Sequence, residues 1–181
     1  MWTELPGGAR LRLFEESDAE EVFALSDRNR AHLEPWMPWV LHTRSPADSL
    51  EFIRIGRRQV ADNDGVQLAI VEPGGEIAGV VGYHRVDWAN RATSIGYWLS
   101  ADRQGRGLMT EAVRALIEHA FGVWDLHRIE IAAAVENARS RAIPERLGFR
   151  EEGVRRDAER NGDRYLDLVV YGLLQSDWAA A

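Results

Sequence analysis

The stretch that decides the expected fold of this 181-residue chain is Gln104-Gly105-Arg106-Gly107-Leu108-Met109-Thr110. It follows a strand-like run from Ile95 to Leu99 and opens a helix-periodic run that extends to about Phe121. The two glycines let the main chain turn so that successive amide N–H groups converge, and the helix start adds partial positive charge. The segment therefore predicts an anion site between a strand and a helix.

The helix after the glycines is supported by the spacing of its apolar residues. One buried face is predicted, with i, i+3, i+4 spacing, by Met109, Ala112, Val113, Leu116, Ile117, Ala120 and Phe121. Gly122 follows this run and predicts its end.

Two common phosphate-binding loops match this segment poorly. A Walker loop requires Lys followed by Ser or Thr after its last glycine, and Leu108 and Met109 stand there. A dinucleotide fold calls for a third glycine, where this chain has Thr110, and for an acidic residue at the end of the next strand. Glu130 has nearly the right spacing but lies in the middle of its strand. The chain therefore matches the dinucleotide motif only in part, and this interpretation stays open.

A third interpretation rests on resemblance. The pattern Gln104-x-x-Gly107 after a strand resembles the pyrophosphate loop of the GNAT acetyltransferase superfamily, whose cofactor is acetyl-coenzyme A (acetyl-CoA). The run 135–149 (VENARSRAIPERLGF) is similar to the second signature of that superfamily. Further matches are 33–39 (LEPWMPW) and 87–91 (DWANR). The residues of the two main motifs most resemble those of the ribosomal-protein N-terminal acetyltransferases of the RimJ and RimL type.

Composition agrees with one cytoplasmic enzyme domain over residues 1–181. The chain is 45% hydrophobic and contains no cysteine, which excludes disulfides, thiolate metal sites and a cysteine nucleophile. No apolar run approaches the roughly 20 residues of a membrane span, and the segment Met1 to Glu4 lacks a signal-peptide pattern. The net charge of −7 disfavours nucleic-acid binding and suits a cationic substrate.

The remaining patterns predict an α+β fold. Strands are expected at 10–14, 67–72, 77–86, 94–99, 129–134, 153–160 and 165–173, and hairpins at Pro73-Gly74-Gly75 and Asn161-Gly162-Asp163. Capping boxes at Ser17 to Glu20 and at Ser45 to Asp48 predict two helix starts, and a short helix is expected from Asn137 to Leu147, ended by Gly148. The resulting prediction is a three-layer, mixed and mostly antiparallel sheet with helices on both faces.

The resemblance implies direct transfer of an acetyl group from acetyl-CoA to a primary amine, without a metal. It also implies that the strand Ser94 to Leu99 splays from the strand Ile129 to Ala134, with the pantetheine arm in the gap and backbone N–H groups near Trp98 and Leu99 polarising the acetyl carbonyl. The loop residues expected at the cofactor are Gln104, Gly105, Arg106, Gly107, Leu108, Met109 and Thr110.

Asn137 and Ser140 lie three residues apart and share a helix face. In the resembling family the asparagine contacts the pantetheine, and the serine lies by the thioester sulfur and assists departure of the thiolate. Spacing alone also fits a simple helix cap at Asn137, with Ser140 an exposed residue of the first turn.

The general base is less clearly marked. Many relatives carry a glutamate just before the cofactor strand, where this chain has Ser94. The remaining candidates are His84, whose intrinsic pKa suits the task, and Asp87 or Glu136 acting through water. A histidine at a strand end is also an ordinary structural residue.

Aromatic residues are expected to form the acceptor pocket. They are Trp36, Trp39, Trp88 and Tyr97, together with Asp87, and the alternative for the aromatic residues is core packing. Three functions are considered: acetylation of a protein N-terminus, acetylation of a small amine such as a polyamine, antibiotic or amino acid, and non-catalytic sensing of acetyl-CoA. A homodimer is compatible with each.

Overall fold

The computed structural model describes residues 3–179, so Met1, Trp2, Ala180 and Ala181 lie outside the described residues. The strands are β1 (Arg10–Leu13), β2 (Val66–Val71), β3 (Ile77–Tyr83), β4 (Ala92–Leu99), β5 (Arg128–Ala134), β6 (Arg150–Asn161) and β7 (Arg164–Leu174). The helices are α1 (Ala19–Arg28), α2 (Arg30–Leu33), α3 (Pro46–Ala61), α4 (Leu108–Gly122), α5 (Ala138–Arg146) and α6 (Gln175–Ala179).

The strands form a seven-stranded sheet with the order β1-β2-β3-β4-β5-β7-β6. Every neighbouring pair is antiparallel except β4 and β5, which are parallel. Helix α4 packs into the larger core on one face, and α1 and α3 pack into a second core on the other. The predicted mixed, mostly antiparallel sheet with helices on both faces is confirmed.

The pairing of β4 with β5 is short. It joins Ala92 to Ser94 with Arg128 to Glu130, although β4 continues to Leu99 and β5 to Ala134. Beyond Ser94 the two strands share no further ladder pairs, so a gap opens between them at the end nearest the glycine loop. This confirms the splay that the resemblance implies.

One of the two predicted capping boxes is where the sequence placed it. Ser45 donates its backbone N–H to Asp48 Oδ2 at 2.8 Å, at the start of α3. The box at Ser17 to Glu20 is wrong, because Glu15 and Asp18 form it two residues earlier, with Glu15 N–H 2.8 Å from Asp18 Oδ2. Asp18 is held there by an ion pair with Arg12 at 2.6 Å. This contact joins β1 to the segment just before α1.

The predicted hairpins join β2 to β3 and β6 to β7. Strand β6 is longer than predicted, and β3 ends at Tyr83 rather than Val86. Helices α2 and α6 and a 3-10 turn at Pro38–Leu41 were not predicted. No helix within residues 3–179 is both long enough and apolar enough to cross a membrane.

Candidate active site

An open cleft of about 1050 Å³ lies where the end of β4 and the starts of α4 and α5 meet. Its lining includes most of the residues that the sequence placed at the site, namely Trp36, Tyr97, Trp98, Leu99, Gln104, Gly105, Gly107, Leu108, Met109, Thr110, Asn137 and Ser140. The fold therefore brings together residues that are more than 100 positions apart along the chain.

The glycine loop forms a row of unpaired amides at one end of the cleft. Gly105 and Gly107 have φ angles of 78° and 79°, a left-handed conformation that glycine adopts without strain. The first helical bond of α4 runs from Glu111 N–H to Gly107 O at 3.0 Å. In the described part of the chain the N–H groups of Gly105, Arg106 and Gly107 donate to no protein group. This arrangement fits an anion such as a phosphate.

Only the backbone of Arg106 belongs to this row of amides. Its side chain is 64% exposed and lies 4.0 Å from Glu72, outside the cleft lining. Four other arginines line the cleft: Arg103, Arg114, Arg139 and Arg146. Arg103 is paired with Glu72 and Asp102, and Arg114 is paired with Glu111. Arg146 donates to Thr110 Oγ1 at 3.0 Å, so the Thr110 hydroxyl ties α5 to α4.

The backbone of β4 alternates between its two neighbours. Ser100 N–H donates to Ala78 O at 2.9 Å, just beyond the strand. Trp98, two residues earlier and paired with Val80, therefore also directs its backbone groups toward β3. The N–H of Leu99 faces the gap toward β5. Of the two amides expected near the acetyl carbonyl, only that of Leu99 is free to point there, although Trp98 is also among the residues that line the cleft.

Helix α5 is held over the gap by its first residues. Asn137 caps it, with Oδ1 accepting Ser140 N–H at 3.2 Å. Tyr97 on β4 donates its phenol O–H to Ser140 O at 2.9 Å, and burial raises the Tyr97 pKa, which keeps the phenol a donor. The Ser140 hydroxyl oxygen lies 3.4 Å from the Tyr97 oxygen and lines the cleft. Asn137 thus serves as a cap while it also lines the cleft.

A second polar contact was not anticipated from the sequence. His32 on α2 lines the cleft, and its Nε2 lies 2.8 Å from Gln104 Nε2. The same amide accepts a hydrogen bond from Arg139 Nη1 at Oε1, at 2.8 Å. Burial, followed by the charge of Arg139, lowers the pKa of His32.

The side of the cleft opposite α5 carries aromatic and apolar residues. Trp36 and Met37 line it directly. Trp39 does not, and instead packs its ring against Trp98 with centroids 5.7 Å apart. The segment around Trp36 is held by the tip of the β6–β7 hairpin, where Asn161 Nδ2 donates to Pro35 O at 3.1 Å.

Two titratable groups with shifted pKa values, His84 and Glu159, do not line the cleft. The His84 ring covers Gly96, where a Cβ would collide with it, on the sheet face that carries the Trp98 side chain; burial lowers the His84 pKa. Glu159 is half-buried on β6 next to an irregularity in the strand pairing. Among described carboxyl groups with a shifted pKa, only Glu159 has it raised, and burial is the cause.

Asp87 and Trp88 lie away from the cleft. Asp87 closes the turn between β3 and β4 by accepting from Asn90 N–H at 2.9 Å and Nδ2 at 2.8 Å, which lowers the Asp87 pKa. Trp88 donates its indole N–H to Asn63 O at 2.7 Å. Both side chains have structural partners there, whereas Glu136, the other carboxylate considered, does line the cleft.

Comparison with known proteins identifies relatives over almost the whole chain. YdaF of Bacillus subtilis (strain 168), provisionally named a ribosomal N-acetyltransferase, is 39% identical over 170 residues, which cover 93% of this chain and 92% of YdaF. The microcin C7 self immunity acetyltransferase MccE, solved in complex with acetyl-CoA and AMP, is 31% identical with a TM-score of 0.88 over 92% of both chains.

A third similar structure is RimL, the ribosomal L7/L12 alpha-N-protein acetyltransferase, in complex with coenzyme A. It is 26% identical, with a TM-score of 0.89, and covers 95% of this chain and 98% of RimL. The family model for the acetyltransferase (GNAT) domain matches residues 9–150. With the splayed strands and the amide-lined loop already described, this match establishes that the chain belongs to the GNAT family of N-acetyltransferases.

Proposed function

We propose that this enzyme transfers an acetyl group from acetyl-CoA to the α-amine of a protein N-terminus. The observation that carries the cofactor assignment is the row of unpaired amides from Gly105 to Gly107 at the start of α4. These amides and the nearby arginines supply what a pyrophosphate requires. The similarity to RimL, an alpha-N-protein acetyltransferase, supports the choice of acceptor.

The described residues fit the rest of this cofactor as well. We assign the pyrophosphate to the amides of the glycine loop, with Arg103 and Arg139 at its side. The gap beyond Ser94 would receive the pantetheine arm, and Asn137, which lines the cleft, would contact it. Holding two substrates in one cleft removes much of the entropic barrier to their reaction.

When bound, acetyl-CoA supplies the thioester carbonyl that the amine attacks. Leu99 N–H faces the gap and is assigned to hydrogen-bond the carbonyl oxygen as negative charge develops on it. The Ser140 hydroxyl is assigned to donate a hydrogen bond to the departing sulfur, because its backbone is fixed by Asn137 and Tyr97.

We assign the base to Glu159, with His84 as the competing candidate. Glu159 and Asn161 are two residues apart on β6 and share a face, and the Asn161 side chain contacts the segment that carries Trp36. The Glu159 pKa, raised by burial, moves this carboxyl group toward the range of an effective base. Burial lowers the His84 pKa, so its ring is neutral and can accept a proton, but it is a weaker base than an ordinary histidine.

An α-amine suits such a weak base better than a lysine side chain. Deprotonating a lysine with a pKa of about 10.4 requires roughly 4.6 kcal/mol at pH 7, whereas an α-amine near 7.8 requires about 1 kcal/mol. The acidic protein also favours the approach of a basic partner.

The test uses matched basic peptides, one with a blocked α-amine and a free lysine, the other with a free α-amine and blocked lysines. We expect thiol release and mass-spectrometric labelling with the free α-amine only. Predominant lysine labelling would contradict the acceptor assignment and leave acetyl transfer intact.

A small-molecule amine is the second candidate, because the similar MccE was solved with AMP beside acetyl-CoA. Polyamines and aminoacyl nucleotides therefore belong in the same screen, and activity confined to them would favour this candidate. If the protein binds coenzyme A but acetylates no acceptor in the screen, the third function, non-catalytic sensing of acetyl-CoA, would be favoured.

A further inference from the structure

His32 makes a contact that the proposed chemistry does not use. It lies on the short helix α2, and its Nε2 stands 2.8 Å from the side-chain nitrogen of Gln104, the residue that begins the glycine loop. Across the cleft, Arg139 on α5 donates to the oxygen of the same amide at 2.8 Å. One amide therefore joins α2, the loop and α5.

The arginine determines how this chain of hydrogen bonds runs. A guanidinium group only donates, so the Gln104 oxygen must face Arg139 and the amide NH2 must face His32. Since the NH2 group also donates, His32 Nε2 has to accept, and the ring must carry its proton on Nδ1. Burial and the Arg139 charge both favour this neutral ring.

The same junction is fixed at a second point. Asn29, which precedes α2, accepts Ala101 N–H on its Oδ1 at 2.9 Å and donates from Nδ2 to Ser100 Oγ at 3.0 Å. These bonds set the segment just before the loop, and His32 sets the first residue of the loop itself. The amides of the loop thus take their direction partly from α2.

We propose that neutral His32 is a positioning residue that holds Gln104, and through it the glycine loop, in the conformation that binds the cofactor. This role rests on the proposed cofactor site. A protonated ring turns an N–H toward the NH2 of Gln104, and the contact is lost. The charged group that faces His32 across the cleft is Arg139, while Arg30 on its own helix is engaged by Asp27.

The experiment measures coenzyme A affinity by calorimetry at about pH 8 and about pH 4.5. An ordinary histidine pKa is about 6.5 and that of His32 is lowered by burial, so the lower pH is set about two units below the ordinary value to protonate the ring. It compares the wild type with His32→Gln, which keeps an acceptor that does not titrate, and His32→Phe, which removes the acceptor. Because the phosphates of coenzyme A also titrate, the quantity compared is the ratio of the two affinities for each protein.

We expect the wild type to lose affinity on acidification about fivefold more than His32→Gln, the size of one hydrogen bond. His32→Phe should bind about fivefold more weakly than wild type at the higher pH and show the same ratio as His32→Gln. Circular dichroism establishes folding at each pH, and if His32→Phe does not fold, the ratio for His32→Gln decides.

Equal ratios in wild type and His32→Gln would overturn the positioning role. So would a wild-type affinity that rises on acidification relative to His32→Gln, because this would make His32 a direct phosphate ligand. A wild type that binds no coenzyme A at either pH would overturn the cofactor site and this role together, which distinguishes the two failures.

Discussion

At the scale of single residues, Ser140 tests whether a side chain of the cleft takes part in the reaction or only stabilises the fold. Its backbone is held by Asn137 and Tyr97, and an alanine retains both of these bonds. We therefore expect Ser140→Ala to fold and to bind acetyl-CoA within about twofold of wild type, with kcat lower by on the order of 100-fold. Initial rates of thiol release measure this.

Asn137→Ala is the matched comparison for Ser140→Ala. It removes the cap of α5, worth about 1 kcal/mol, and is expected to raise the KM for acetyl-CoA more than it lowers kcat. An unchanged kcat in a folded Ser140→Ala protein would contradict the sulfur-side role.

Glu159 makes a prediction about pH. A base must be unprotonated, so kcat is expected to fall as pH falls through the Glu159 pKa, which burial places above its ordinary value. This fall is the acid limb of the pH profile of kcat. In Glu159→Gln the acid limb should disappear, and kcat should fall on the order of 100-fold. Glu136→Gln, at a carboxylate that does line the cleft, is the control and should keep the limb.

His84→Gln is measured in the same way as Glu159→Gln. If it abolishes the acid limb and Glu159→Gln retains it, the base is His84 instead.

At the scale of elements, the connection from β4 to α4 depends on a conformation that only glycine adopts freely. Gly107 has a φ of 79° and caps α4. Valine is strained there by about 1–3 kcal/mol and pulls the amides out of alignment. We expect Gly107→Val to weaken coenzyme A binding by tenfold or more in calorimetry.

The matched control is Gly75→Val in the turn between β2 and β3. Gly75 has a φ of 98° and open space around it, and it does not line the cleft. This variant should lose comparable stability while its coenzyme A affinity stays within about twofold of wild type, since the loop is untouched. Equal loss of affinity in both variants would mean that general destabilisation explains the effect.

At the scale of the whole molecule, the cleft draws on α2, β4, α4 and α5, so a ligand that binds there is bound by the native state alone. At 100 times its Kd, such a ligand stabilises by about 2.7 kcal/mol, which corresponds to a rise in Tm of roughly 5–10 °C for a chain of this length. Differential scanning calorimetry with coenzyme A measures it. At the same ligand concentration, a tenfold weaker Gly107→Val should show about half this rise or less, and a full rise in that variant would contradict the loop assignment.

Much of the fold could be predicted because the relevant signals are local. The glycine loop, the periodic face of α4 and the Ser45 capping box depend on residues a few positions apart, and their conformations follow from the chain itself. The box at Ser17 failed for the opposite reason. An ion pair with Arg12, on another element, selected Glu15 and Asp18.

The family, the glycine loop and the grouping of Asn137 and Ser140 with it follow from contiguous motifs in the chain. Folding adds contacts that these motifs do not contain: His32 and Arg139 share the Gln104 amide, Leu99 rather than Trp98 turns its N–H to the gap, and Trp88 lies elsewhere. These facts depend on strand register and on packing between distant segments. No spacing along the chain encodes such contacts, since the sheet sets which side chains meet.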